Sequence, residues 1–128
     1  MHNEIEDTVN TWNNHIIPKK ENVEKLISNL PKIDNVKTKI ETLFKISKDF
    51  KILSALSQSK KNMTESICKL YNINENKLIL ELIEEYNDFQ WKTIFYQEKG
   101  RRLIKNMNLL PPNYGFFNDI YSEYFWFI

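Results

Sequence analysis

Glycine is almost missing from this 128-residue chain, which holds two, with one cysteine, two histidines and four prolines. Each scarcity excludes something. A phosphate cradle needs clustered glycines that let the backbone approach the phosphates, and Gly100 and Gly115 stand alone. A structural zinc site takes about four Cys or His ligands at set spacings; Cys68, His2 and His15 cannot supply them. With one cysteine there is no intramolecular disulfide. Cys68 and His15 remain as a nucleophile–base pair on paper, but Cys68 stands among apolar helix positions and reads as a small buried hydrophobe. No run approaches the ~20 apolar residues of a membrane span. Glu4, Glu6 and Asp7 near the start are unlike a secretory signal, so a cytoplasmic protein without cofactor or metal is expected.

What is present is a globular composition, 41% hydrophobic and 27% charged with a formal net charge of +1. Few breakers favour helices over sheet folds, whose tight turns consume Gly, Asn and Pro. The expectation is therefore an all-α, compact single-domain bundle of five to seven helices. It divides into N-terminal helices over residues 1–47, a core over 48–110 and an aromatic segment over 111–128. Ile5, Val9, Trp12 and Ile16 recur at helical steps, and Pro18 is expected to end that first helix. Val23, Leu26, Ile27 and Leu30 mark a second helix, stopped by Pro31. Ile33, Val36, Ile40, Leu43 and Phe44 mark a third, which either runs on or breaks near Lys48-Asp49. The polar stretch Ser57 to Asn62 reads as a loop, with Asn62 or Thr64 capping a further short helix. Asn72 to Asn76 reads as a turn before a helix bearing Leu78, Ile79, Leu82, Ile83 and Tyr86. Residues 89–97 are ambiguous: Phe89, Trp91, Thr93 and Phe95 alternate as in a strand, yet nothing between Lys77 and Lys99 forbids one continuous helix.

Charge is segregated. Lys32 to Lys61 holds eight lysines against Asp34, Glu41 and Asp49, a local net of +5. Glu75 to Asp88 sums to −4, and Glu98 to Lys105 to +3. These are either ordinary solvated helix faces, with pairs such as Glu41–Lys45, or basic groups that converge to attract RNA, DNA or an acidic protein surface. On the second reading the binding residues are Lys45, Lys48, Lys51, Lys60, Lys61, Lys99, Arg101, Arg102 and Lys105. The glutamates Glu81, Glu84 and Glu85 read as a solvated acidic face and not as an acid–base pair. The last fifteen residues hold eight aromatics. They either close the core or offer an interface through Tyr114, Phe116, Tyr121, Tyr124 and Trp126.

Phe50-Lys-Ile-Leu-Ser-Ala-Leu56 resembles the first helix of a winged helix-turn-helix domain, and Thr64-Glu-Ser-Ile-Cys-Lys-Leu-Tyr71 the second. Asn74 to Tyr86 occupies the recognition-helix slot, and Phe95 to Ile104 resembles the end of the wing. The resemblance spans residues 50–107. It implies a β-ribbon near residues 89–97 and, with it, DNA binding. Because Glu81, Glu84 and Glu85 would face phosphates, it equally implies a protein-interaction module.

Three functions follow as expectations. The first is a small non-catalytic binding protein that modulates or inhibits a larger protein or ribonucleoprotein partner, such as a nucleic-acid-handling complex. In size and composition the chain is similar to phage and mobile-element inhibitors, anti-CRISPR proteins among them. The second is a winged-helix transcriptional regulator that forms a homodimer through its first two helices or the aromatic tail and binds DNA through its wing and nearby lysines. The third is an immunity protein whose acidic 75–88 face meets a basic toxin.

Overall fold

A computed structural model describes residues 2–106. Three long helices run through them: α1 (His2–Asn29), α2 (Val36–Tyr71) and α3 (Asn76–Asn106), with a 3-10 turn at Leu30–Lys32. At 1.5 Å per residue, α2 alone is about 54 Å long. Neighbouring helices run antiparallel. Glu4 meets Tyr71, Trp12 meets Met63 and Lys19 meets Asp49, while Phe50 meets Phe89 and Phe44 meets Gly100. The result is an up-down-up bundle with α2 against both neighbours. The number of helices is thus three among the described residues, not five to seven.

The extra breaks fail for separable reasons. Pro18 lies inside α1. An interior proline loses one hydrogen bond and crowds the preceding turn, costing about 3 kcal/mol. It is tolerated because Ile16 and Val23 on either side are 2% and 1% exposed, and each such burial contributes roughly 1.5–3 kcal/mol. Pro18 itself is exposed, so the carbonyl it orphans can bond water. Pro18→Ala should therefore raise unfolding free energy by about 2 kcal/mol, the helix gain less the lost stiffening of the unfolded chain. Urea denaturation followed by circular dichroism measures this.

The 57–62 loop is also absent; these residues are an unbroken part of α2. Their inward side is polar, and so carries no hydrophobic period. True ends lie where side chains cap. Asn35 accepts a hydrogen bond from the Thr38 amide (3.0 Å) to open α2, the N-cap pattern. Asn72 closes it in the left-handed region at φ 56°, which asparagine tolerates. The expected turn at Asn72 to Asn76 is where α2 gives way to α3.

The winged-helix resemblance is contradicted. Residues 89–97 lie within α3, and no strand occurs among the described residues. In a strand, Phe89, Trp91, Thr93 and Phe95 would share a face. Instead Phe89 and Thr93 are buried at 2% and 8% exposure, whereas Trp91 and Phe95 point outward at 72% and 52%. The apparent alternation is a helical period in which the buried set is Phe89, Thr93, Gln97, Gly100 and Ile104.

One core joins all three helices: Ile16 and Val23 of α1, Ile46, Phe50 and Leu53 of α2, and Phe89 of α3. Phe50 lies between Phe89 and Tyr96, with centroids at 6.2 and 5.7 Å. Toward the α1–α2 connection, Ile40, Leu43, Phe44 and Ile104 continue the apolar interior. Beyond Leu53 the inward residues of α2 become Ser54, Ser57, Lys60, Thr64 and Cys68. Among the described residues no helix is long and apolar enough to cross a membrane.

Candidate interaction site

Two charges are drawn into the bundle. Asp49 is 3% exposed and held by Lys19 (3.1 Å) and Lys45 (3.4 Å). Lys60 is also 3% exposed. It donates to Asn13 of α1 (3.2 Å) and to Glu85 of α3 (3.3 Å), and Ser57 donates to the same Glu85 oxygen (2.8 Å). A buried ammonium is tolerated only with such partners. Among the described residues every fully buried side-chain nitrogen or oxygen has a hydrogen-bond partner. Buried Ser47 likewise donates to the Thr93 carbonyl at 2.8 Å.

Lys60 is therefore a tie across all three helices, with its ammonium away from the surface. Glu85, expected on a solvated face, is its counter-ion; Glu81 and Glu84 are exposed as expected. Lys61 lies one residue further on and pairs with Glu65 at 3.6 Å. Lys45 belongs to the Asp49 pair, and Lys48 is exposed on α2. Cys68 is buried and His15 exposed. By the antiparallel pairing of α1 with α2, Cys68 is level with residue 7, about 12 Å along the helix from His15, so the nucleophile–base pair is not brought together. Among the described residues no group of three or more His, Cys, Asp or Glu could hold a metal.

Lys51, Lys99, Arg101 and Arg102 line two grooves between α2 and α3. In one, of about 400 Å³, Lys51 and Arg101 stand with Ser54, Gln90, Gln97 and Glu98; Arg101 is tied to Glu98 at 2.6 Å. The other, of about 360 Å³, opens beside the α1–α2 connection. Its walls are Leu30, Pro31, Leu43 and Leu103, and Lys39, Lys99 and Arg102 line it. No carboxylate is among its described lining residues. Lys99 is held over the Phe95 ring, 4.6 Å from the centroid, a cation–π placement that fixes its stem. Lys105 is exposed at the end of α3.

The two basic stretches of the sequence thus meet, through Lys39 with Lys99 and Arg102 and through Lys51 with Arg101. Lys39 was not singled out from the sequence, although it falls inside the basic run. Its signal is the spacing to buried Leu43, one turn on. Tyr114, Phe116, Tyr121, Tyr124 and Trp126 lie outside the described residues.

Two phenols titrate above their ordinary range. Tyr71 donates to Glu4 at 2.9 Å, and that hydrogen bond, with the carboxylate charge, opposes ionisation. Tyr96 is raised by partial burial, against the lowering influence of Lys92. Neither group lines the apolar groove.

No family model, curated protein or solved structure matches the chain. Among the described residues the fold and the grooves define a class by geometry: a three-helix antiparallel bundle with a cation-lined apolar groove at one end.

Proposed function

We propose that this is a non-catalytic binding protein that modulates a larger protein partner by holding an acidic, partly apolar segment of it in the groove beside the α1–α2 connection. The observation that carries this reading is the placement of Lys39, Lys99 and Arg102 on four apolar walls. Cations beside aliphatic surface suit a peptide segment with one or two apolar anchors and flanking carboxylates. A nucleic-acid strand is a poorer fit, because stacking needs aromatic faces and the walls here are leucine and proline. Occupation of a partner surface is the mode of action this implies.

The test is the affinity of the partner captured from the native host. Lys39→Glu, Lys99→Glu and Arg102→Glu combined should weaken binding at least about tenfold, and the salt dependence of the wild type should disappear with it. The control, Lys61→Glu with Lys69→Glu on the distal part of α2, should bind as wild type. Equal affinity for wild type and triple variant contradicts the groove as the binding site.

A further inference from the structure

Facing away from the core, α3 carries an exposed stripe whose basic end reaches the groove through Arg102. Glu84, Asp88, Trp91, Phe95 and Arg102 follow one another at steps of three, four and seven residues, and so share one face. All five are exposed. Trp91 at 72% and Phe95 at 52%, with Ile94 at 52% beside them, form an apolar centre. Large apolar groups gathered at one place on a small protein mark an interaction surface more often than solitary ones do. What identifies the occupant is the charge on either side of that centre. Toward the start of α3 the stripe is acidic, through Glu84 and Asp88; toward its end it is basic, through Lys99 and Arg102.

An acidic half, an apolar centre and a basic half along one helix are self-complementary when two copies run antiparallel. A twofold axis level with residue 93 sets Trp91 of one copy against Phe95 of the other, Glu84 against Arg102, and Asp88 close to Lys99. Each contact occurs twice, as an isologous interface requires. Apolar residues at the centre with charged pairs at the rim is the usual anatomy of such a patch. A parallel pairing would set acid on acid and base on base. The ion pair Asp88–Lys92 (2.8 Å) within one chain is exposed on both sides and weak enough to exchange partners.

We propose that two copies of this chain associate through the outward stripe of α3, antiparallel, with Trp91 of each against Phe95 of the other. This surface shares Lys99 and Arg102 with the peptide groove, whereas Glu84, Asp88, Trp91 and Phe95 belong to the stripe alone and Lys39 to the groove alone. Failure of one reading is therefore separable from failure of the other: Trp91→Glu acts only on the stripe and Lys39→Glu only on the groove.

Sedimentation equilibrium of the full chain at micromolar concentrations is the primary measurement. The wild type should be a dimer, and Trp91→Glu should weaken association about a hundredfold or more, since it buries a charge at the centre twice, with unchanged helical circular dichroism. Register is read by cysteine pairing. Residues 84 and 102 are about 27 Å apart along one helix, too far for a bond within a chain. The double variant Glu84→Cys, Arg102→Cys should give a covalent dimer on mild oxidation, and neither single variant should. A monomeric wild type overturns the proposal, as does a dimer insensitive to Trp91→Glu or one in which the double variant fails to cross-link. In the first case the stripe is left to a different macromolecule, and loss of an oligonucleotide's or a protein's binding on Trp91→Glu would tell which.

Discussion

Lys60→Ala should be among the most damaging single changes in the bundle, lowering unfolding free energy by about 3 kcal/mol and the midpoint temperature by roughly 10 °C. The substitution removes the ammonium that holds Asn13 and Glu85 and leaves a cavity where the aliphatic stem was. Glu85 then remains with Ser57 as its partner. Its side chain is 30% exposed, so water reaches it, which keeps the loss near the lower end for a broken buried pair. A second pair of variants separates charge from packing. Lys60→Met keeps the stem and should cost about half as much. Lys60→Met with Glu85→Leu removes both charges and should come within about 1 kcal/mol of wild type, because a buried ion pair rarely outperforms well-packed apolar groups. Thermal and urea melts of the three variants decide this. A Lys60→Ala protein as stable as wild type would mean that the tie does not form.

The second large effect is expected at Gly100, the only glycine among the described residues. It lies in the middle of a turn of α3, without a positive φ, so backbone freedom does not explain it. Space does. A Cβ at this position would stand 2.9 Å from two atoms of the Phe44 ring, and Phe44 is fully buried, so the ring cannot swing out into solvent without losing its burial. Gly100→Val should destabilise by about 3 kcal/mol through overpacking. Gly100→Ala should show a smaller loss, because alanine's better helix propensity, worth about 1 kcal/mol, offsets part of the clash. Adding Phe44→Leu to Gly100→Val should recover some of the stability that neither change alone retains, a coupling that a double-mutant cycle reads directly.

These two residues also show where the sequence was legible and where it was not. The all-helical class followed from the scarcity of glycine and proline, and the turn between α2 and α3 from the break in hydrophobic period at Asn72 to Asn76, whereas the caps read at Asn62 or Thr64 fall inside α2. Gly100 stands alone in the sequence, and a lone glycine carries no mark of whether it frees the backbone or admits a neighbour's ring. Ser57 to Asn62 read as a loop, because a helix whose inner face is serine, lysine and threonine shows no apolar period; the acceptors that hold Lys60 are distant in the chain, Asn13 on α1 47 residues away and Glu85 on α3 25 residues away. Pro18 read as a stop, a local rule overridden by burial of Ile16 and Val23. The strand-like run from Phe89 to Phe95 misled for the opposite reason. Aromatic and β-branched residues there alternate by type, but only half of them face inward.

The basic residues divided in the same way. That the two cationic stretches approach each other was an inference from segregation of charge, and the antiparallel packing of α2 on α3 places Lys39, Lys99 and Arg102 on one groove. That Lys60 stands inside the bundle was not legible, since its counter-ion and its amide partner come from two other helices.

The measurement that bears most directly on the groove is site-specific photo-cross-linking to the captured partner, with a benzophenone side chain at position 39 in one protein and at position 69 in another. If an acidic segment is held beside the α1–α2 connection, the residue-39 probe yields one adduct, mapped to a partner peptide rich in aspartate or glutamate with apolar neighbours, and the residue-69 probe yields none. An adduct formed only at position 69, or a residue-39 adduct to a peptide without acidic residues, contradicts it.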